Sequence, residues 1–242
     1  GMTGHTLTVV IPTYNRPDSL YRAVESLFWQ GARKAGICVV VVDNSADASA
    51  RMVFDTLVAR APEGLTLDYV HCPSPGVANA RNAAMEVLKT RLVAFLDDDQ
   101  TAPIHWIDEL LKAYDQDKAA ATFGPVLTLL PDHVTRHRAY FEAFFARDPA
   151  LSSGYISKPY GCGNCLLDTG QLPDAKPWFD GLMNEVGGED DLLFASIAEN
   201  GGQFAWAAGA PVYEHPLPQR VTLGYTLRRA FAYGQGPCTL AR

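Results

Sequence analysis

Leu92-Val93-Ala94-Phe95-Leu96-Asp97-Asp98-Asp99 sets five apolar residues directly against three carboxylates. The run has strand length and no polar alternation, so it predicts a strand covered on both faces, as in parallel sheets. Earlier segments repeat the scheme. Leu7 to Ile11 is one apolar run, ending in the loop Pro12-Thr13-Tyr14-Asn15-Arg16-Pro17. Ile37 to Val42 is another, ending in Asp43-Asn44-Ser45, and a weaker strand is expected near Leu67 to His71. Between the first two runs, Leu20, Ala23, Val24, Leu27 and Phe28 recur at helical spacing, with Asn15 or Asp18 as the expected cap and Gly31 as the stop. Further helices are expected over about 48–60, from Val77 to Leu88, and from Ile107 to Tyr114. Strands and helices that alternate through short links predict an α/β fold: a mostly parallel central sheet flanked by helices.

The pattern loosens near residue 120. Residues 119–130 read as one or two strands, Val134 to Phe145 as a helix, and 147–165 as loop. A helix from Glu189 to Asn200, strands at Phe204–Ala207 and Val212–His215, and a helix from Thr222 to Tyr233 complete the expectation. No linker composition separates the halves, so residues 1–242 are expected to form a single domain, with one half over about 7–118 and another over about 119–242.

Composition narrows the function. The 242 residues are 48% hydrophobic and 19% charged, which excludes a disordered chain. A formal charge of −7 argues against a nucleic-acid coat protein. No apolar run reaches the roughly 18–20 residues that span a bilayer, and no basic-then-apolar leader is seen. Five cysteines, at 38, 72, 162, 165 and 238, are too sparse and odd in number for a disulfide framework. A cytoplasmic protein is expected, with peripheral contact at the inner face of the membrane left open.

In open parallel sheets, ligands bind beyond the carboxyl ends of the strands. That rule collects Thr13 to Arg16, Asp43, and Asp97 to Asp99 on one sheet edge. Three adjacent carboxylates oppose each other's ionisation, and a divalent cation with oxygen preference, Mg²⁺ or Mn²⁺, relieves that opposition. Glu189-Asp190-Asp191 opens a helix behind Gly187-Gly188. It reads either as helix-end charge compensation or as a general base. Arg81, early in a helix after a Pro/Gly loop, suits an anion. His215, at a strand end, reads as a satisfied histidine or as a metal or phosphate ligand. Cys162-Gly163-Asn164-Cys165 has zinc or redox spacing without a second ligand pair and reads as a glycine-rich loop. Arg228-Arg229 reads as a solvated helix face, with anionic acceptors or membrane lipid as the functional alternative.

Val10-Ile-Pro-Thr-Tyr-Asn-Arg16, Val42-Asp-Asn-Ser45, Ala80-Arg-Asn82, Phe95-Leu-Asp-Asp-Asp99 and Gly188-Glu-Asp190 occur in that order, over about residues 7–215. Together they resemble the family 2 glycosyltransferases of the GT-A fold. The resemblance implies a Rossmann-like domain with a nucleotide-binding half and an acceptor-binding half. It implies metal-assisted, inverting transfer from a nucleotide-sugar, a UDP-sugar being the expected donor, to a saccharide, lipid-linked or other hydroxyl acceptor. It places Thr13, Tyr14, Arg16, Asp43, Arg81, Asp97 and Asp98 around the nucleotide, with Asp43 accepting from the base. Asp99 and His215 would hold the Mn²⁺ or Mg²⁺, with Asp98 as the alternative ligand within the triplet. Asp190 would be the catalytic base, with Gly188 and Glu189 beside the acceptor. Two rival readings are a sugar-phosphate nucleotidyltransferase and a non-catalytic sugar-binding module. The first would carry a glycine-rich basic loop after strand one, where this chain has Pro12 to Pro17. The intact acidic clusters argue against the second.

Overall fold

The computed structural model describes residues 6–31, 36–174, 177–180 and 191–240, apart from the side chains of 191 and 233–240. The apolar runs fold as read. Strands β1 (Leu7–Thr13), β2 (Ile37–Asp43), β3 (Thr66–His71) and β4 (Leu92–Phe95) pair in parallel, in the order β3-β2-β1-β4. Helices α1 (Pro17–Ser26), α2 (Arg51–Arg60) and α3 (Val77–Glu86) cross between them.

Alternate strand residues point to opposite faces, so this sheet feeds two cores. Val9, Ile11, Val39 and Val41 pack with α1, α2 and α4 (Trp106–Asp117). Val10, Val40, Val42 and Phe95 pack with α3 and α6 (Asp191–Glu199) on the other face. Burial on both faces is the physical reason that these strands lack polar alternation.

The second half departs from expectation. The sheet continues past β4 as β9 (Cys165–Asp168), β6 (Ala121–Phe123), β10 (Phe204–Trp206) and the edge strand β8 (Gly154–Ile156). β9 is antiparallel to both neighbours, β10 runs parallel to β6, and β8 antiparallel to β10. Residues 119–130 thus give two strands, but in different sheets. β7 (Val126–Thr128) joins β11 (Val212–Glu214) and β5 (Gln100–Thr101) in a separate three-stranded sheet. The loop expected through residue 165 therefore contains β8 and the start of β9, strands too short to show a period.

Helix boundaries also shift. The helix expected from Val134 begins at Arg138 as α5 (Arg138–Phe145), because His137 adopts φ 56° and Arg138 bonds the carbonyls of Leu130, Pro131 and Val134. Neither Asn15 nor Asp18 caps α1. Arg16 occupies that position, and Pro17 starts the helix with its φ already set. The last helix, α7, spans Leu223–Leu240. Among the described residues no helix is long and apolar enough to cross a membrane.

At the edge away from the carboxyl ends, Asp168 ties three elements together. Its carboxylate accepts from Arg91 Nε at 2.6 Å, Tyr114 Oη at 2.6 Å, Gln171 Nε2 at 2.8 Å and Gly170 N–H at 3.0 Å. Burial by itself would raise the Asp168 pKa, but these donors outweigh it and hold the pKa at about 2.

Candidate active site

A cleft of about 990 Å³ opens at the carboxyl ends of β1 and β4 and runs to the first turn of α3. Thr13, Tyr14 and Arg16 line it from the loop after β1, and Arg81 from α3. Asp97, Asp98 and Asp99 line it from the segment after β4. These seven expected residues therefore converge, as the placement rule requires.

Asp98 is the innermost of the triplet. It accepts from Thr13 Oγ1 at 3.0 Å and from Arg16 Nη1 at 3.2 Å, and so locks the β1 loop to the acidic segment. Burial raises its pKa against the lowering pull of Arg16 and Thr13. Arg81 is buried with its guanidinium over the rings of Phe95 and Phe179, 5.8 and 5.7 Å from their centroids, and its Nη2 lies 3.9 Å from Asp97 Oδ1. An arginine stacked on aromatic faces is pre-oriented toward an anion.

The α3 end of the cleft is shaped by Asn44. Its Nδ2 donates to the carbonyls of Cys72 and Ser74, and its Oδ1 accepts from Gly76 N–H. Gly76, at φ 112°, supplies the left-handed turn that lets α3 begin against the cleft. Asn82, next to Arg81, exchanges hydrogen bonds with the Phe179 backbone and so fixes one of the two stacking rings.

Two residues differ from expectation. Asp43 is fully buried and does not line the cleft. Its carboxylate accepts from the Ser45 N–H and hydroxyl, from Ala50 N–H, and from Tyr69 Oη at 2.6 Å. With four donors it has no lone pair left for a base, and it instead braces the turn that presents Asn44. His215 lines a different pocket, with Arg22 and Leu129 to Asp132, and its Nε2 lies 2.9 Å from Thr101 Oγ1. Burial, then Arg22, lowers its pKa.

The cause at His215 is the period of a strand. β11 pairs antiparallel with β5, setting Glu214 opposite Gln100, and His215 N–H donates to the Asp99 carbonyl at 2.7 Å. Glu214 therefore faces the cleft, and His215 faces away. Glu214 and Arg220 both line the cleft, and both are absent from the expectation. Glu214 was legible only as the neighbour of a singled-out histidine. Arg220 follows Pro218 in a short 3₁₀ turn and carries no sequence signal.

Asp99 and Glu214 make the cleft floor electrostatically uncomfortable. Burial, then Asp97 and Asp98, pushes the Asp99 pKa up to about 7. Burial, then Asp99 and Asp97, pushes Glu214 up to about 8. Arg220 pulls both in the opposite direction. Among the described residues no three His, Cys, Asp or Glu side chains form a complete metal cage. Crowded carboxylates without a closed cage fit Mg²⁺ or Mn²⁺, which hard-oxygen sites hold through one or two carboxylates while phosphates and water supply the rest.

Cys162 and Cys165 are buried thiols of the second core and form no disulfide. Between them, Gly163 packs against the cleft: a Cβ there would lie 2.7 Å from Asp97 Oδ2. Gly188, Glu189 and Asp190 lie outside the described residues.

Comparison with known proteins identifies the family and the fold. Residues 8–167 match the profile of glycosyl transferase family 2. The succinoglycan biosynthesis protein ExoM of Rhizobium meliloti is 32% identical over 233 residues, which is 95% of this chain and 73% of ExoM. Residues 1–349 of Staphylococcus aureus TarS, solved in complex with UDP, superpose with a TM-score of 0.66 at 17% identity, over 88% of this chain and 61% of that one. The mannosyltransferase PcManGT of Pyrobaculum calidifontis, solved with GDP-Man and Mn²⁺, superposes with a TM-score of 0.65 at 20% identity, over 93% of this chain and 60% of that one. The fold is thus that of GT-A glycosyltransferases, and this chain spans about three fifths of the two solved chains.

Proposed function

This chain belongs to glycosyl transferase family 2, and from that premise we propose that it transfers a sugar from a nucleoside-diphosphate sugar, a UDP-sugar, to a hydroxyl acceptor with inversion. The observation that carries this reading is the convergence in one cleft of Arg16, Arg81, the α3 start and the Asp97–Asp99 segment. In this reading the nucleotide lies along Thr13, Tyr14 and Arg16. A helix N-terminus and a stacked arginine favour the diphosphate. Asp97 and Asp98 hold the β1 loop and Arg81 in register for that binding. Asp99, with Glu214 beside it, would hold Mn²⁺ or Mg²⁺, because His215 lines a different pocket. A bound divalent cation would offset the charge that develops on the diphosphate as the sugar leaves.

Inversion in one displacement needs a base on the face away from the leaving group. Asp190 is proposed for that role from its place in the Gly188-Glu-Asp190 motif, on a segment separate from the diphosphate-binding residues. It would take the proton of the acceptor hydroxyl as the oxygen attacks. Glu189 and Gly188 are proposed beside the acceptor. In domain terms, residues up to about 118 would supply most of the donor contacts, with Glu214 and Arg220 joining them from the second half, and the rest of that half would bind the acceptor.

Calorimetry with UDP, and with GDP as comparator, in the presence and absence of Mn²⁺, tests the reading. Metal-dependent UDP binding is expected, and no binding of either nucleotide would defeat it. Asp190→Asn is expected to keep UDP affinity and to lose transfer by a factor of about 10²–10⁴. Equal turnover by that variant would remove Asp190 from the role.

A further inference from the structure

We propose that a second, smaller pocket beside the cleft receives the acceptor and selects a sugar ring that carries an anionic group. The inference rests on the transferase reading above and names the acceptor class for that same site. The pocket encloses about 280 Å³ and shares Asp99, Glu214 and Arg220 with the cleft. The two spaces therefore meet at the acidic segment. Thr13, Tyr14 and Arg16 line the cleft and not the pocket, so a ligand in the pocket reaches the junction without crossing the surface proposed for the nucleotide.

The unshared wall has a different chemistry. Phe144 and Phe145 line it from the end of α5, Tyr225 and Arg229 from α7, and Pro216 from the chain after β11. Tyr225 and Arg229 are four residues apart and share one face of α7. The two helices are tied beside this face: Tyr140 Oη on α5 donates to the buried Thr226 Oγ1 at 2.9 Å. Phe144 and Phe145 stand edge to face, with centroids 5.0 Å apart and planes at 86°, and form a corner. Both rings and Tyr225 are only half-buried. A pyranose has an apolar face of C–H groups that packs on such rings, while its hydroxyls stay at the rim. The volume lies just under the roughly 300–1,000 Å³ of ordinary ligand pockets, which suits one ring rather than a chain. Arg229 sets the charge, because a guanidinium fork matches a carboxylate or phosphate. It also sets the direction. Arg229 lines the pocket alone, whereas Asp99 and Glu214 line both spaces. An acidic ring therefore turns its anion to Arg229 and a hydroxyl to the junction, since the reverse placement sets like charges together. The donor's own sugar is the competing occupant.

Saturation-transfer NMR tests it, with UDP at saturation to fill the cleft and Mg²⁺ as a diamagnetic cation. The probes are methyl β-glucuronide, glucose 6-phosphate and the neutral methyl β-glucoside. At least one acidic probe is expected to bind about tenfold more tightly than the neutral one, and which of them does so tells carboxylate from phosphate. Arg229→Gln is expected to abolish that preference and Arg229→Lys to keep part of it. Arg229 is exposed, so both variants should fold as the parent does. Phe145→Ala is expected to weaken all three probes several-fold. Absence of binding by both acidic probes overturns the proposal, as does a preference that Arg229→Gln leaves intact. Calorimetry with UDP-glucuronate and UDP decides against the competing occupant: a gain of UDP-glucuronate over UDP that Arg229→Gln removes would assign the pocket to the donor's sugar and overturn the proposal. The same titrations keep the two readings apart. Absence of UDP binding defeats the transferase reading, whereas UDP binding without selection of an acidic ring defeats this inference alone.

Discussion

Asp99 and Glu214 hold more protons in the folded chain than in the unfolded one. Their ordinary pKa values are about 4, and burial with neighbouring carboxylates moves them to about 7 and about 8. Between about pH 4 and pH 8 the folded state therefore binds the extra protons, so its metal-free stability declines as pH rises through that window. A divalent cation should restore it at the upper end, because the cation takes the place of the protons. Melting curves from pH 5 to 8.5 with chelator and with Mn²⁺ measure this, and Glu214→Gln should flatten the chelator curve. Asp168 has the opposite sign. Its folded pKa, about 2, lies below the unfolded value, so its contribution is present above about pH 4 and is lost as pH falls toward 2. Asp168→Asn should cost about 2–3 kcal/mol at pH 7, a discounted buried-pair value because Arg91 is largely exposed. Urea denaturation measures it, and the difference from the parent chain should shrink in acid.

At the scale of elements, Cys162-Gly163-Asn164-Cys165 shows what a loop with metal-like spacing does instead. Its spacing suggests metal or redox chemistry, but its job is to hold the second half of the fold against the first. Asn164 donates to the carbonyls of Pro125 and Ala210 and accepts from Trp106 Nε1, all at 2.8–2.9 Å. Arg147 then clamps the carbonyls of Gly124, Gly161 and Asn164. None of these partners is near in sequence, so no local pattern records them. Gly163 links this brace to the cleft. Gly163→Ala would push its Cβ into Asp97 Oδ2 and Gln100 Nε2, at 2.7 and 2.9 Å. The variant should fold, since Asp97 is partly exposed and can yield, but should bind UDP with Mn²⁺ about tenfold more weakly, a loss of about 1.4 kcal/mol. Titration calorimetry measures it. β9 fails to show in sequence for a similar reason: four residues, Cys165 to Asp168, are too few to display a period, and their strand character comes from β4 and β6 on either side.

For the whole molecule, the cleft joins both parts of the chain. Asp97 to Asp99 come from the regular first half, and Glu214 and Arg220 from the irregular second. A ligand that bridges them binds only the folded state and should stabilise it. UDP with Mn²⁺ should raise the melting temperature by several degrees, and UDP with chelator by less. Absence of any shift across a panel of nucleoside diphosphates would contradict the proposed donor class.

The parallel half of the sheet, its two-sided burial and the carboxyl-edge position of Thr13, Arg16 and Asp97 to Asp99 were determined by the sequence alone. Strand hydrophobicity and helical period are local quantities, and the rule that places ligands at strand ends acts on them directly. Tertiary structure alone decided that Asp43 turns inward, that Glu214 rather than His215 faces the acidic triplet, and that β9 enters the sheet antiparallel. Each depends on pairing register or on donors far away in the chain. A shift of one residue along a strand reverses which side chain meets the cleft, and composition is blind to that shift.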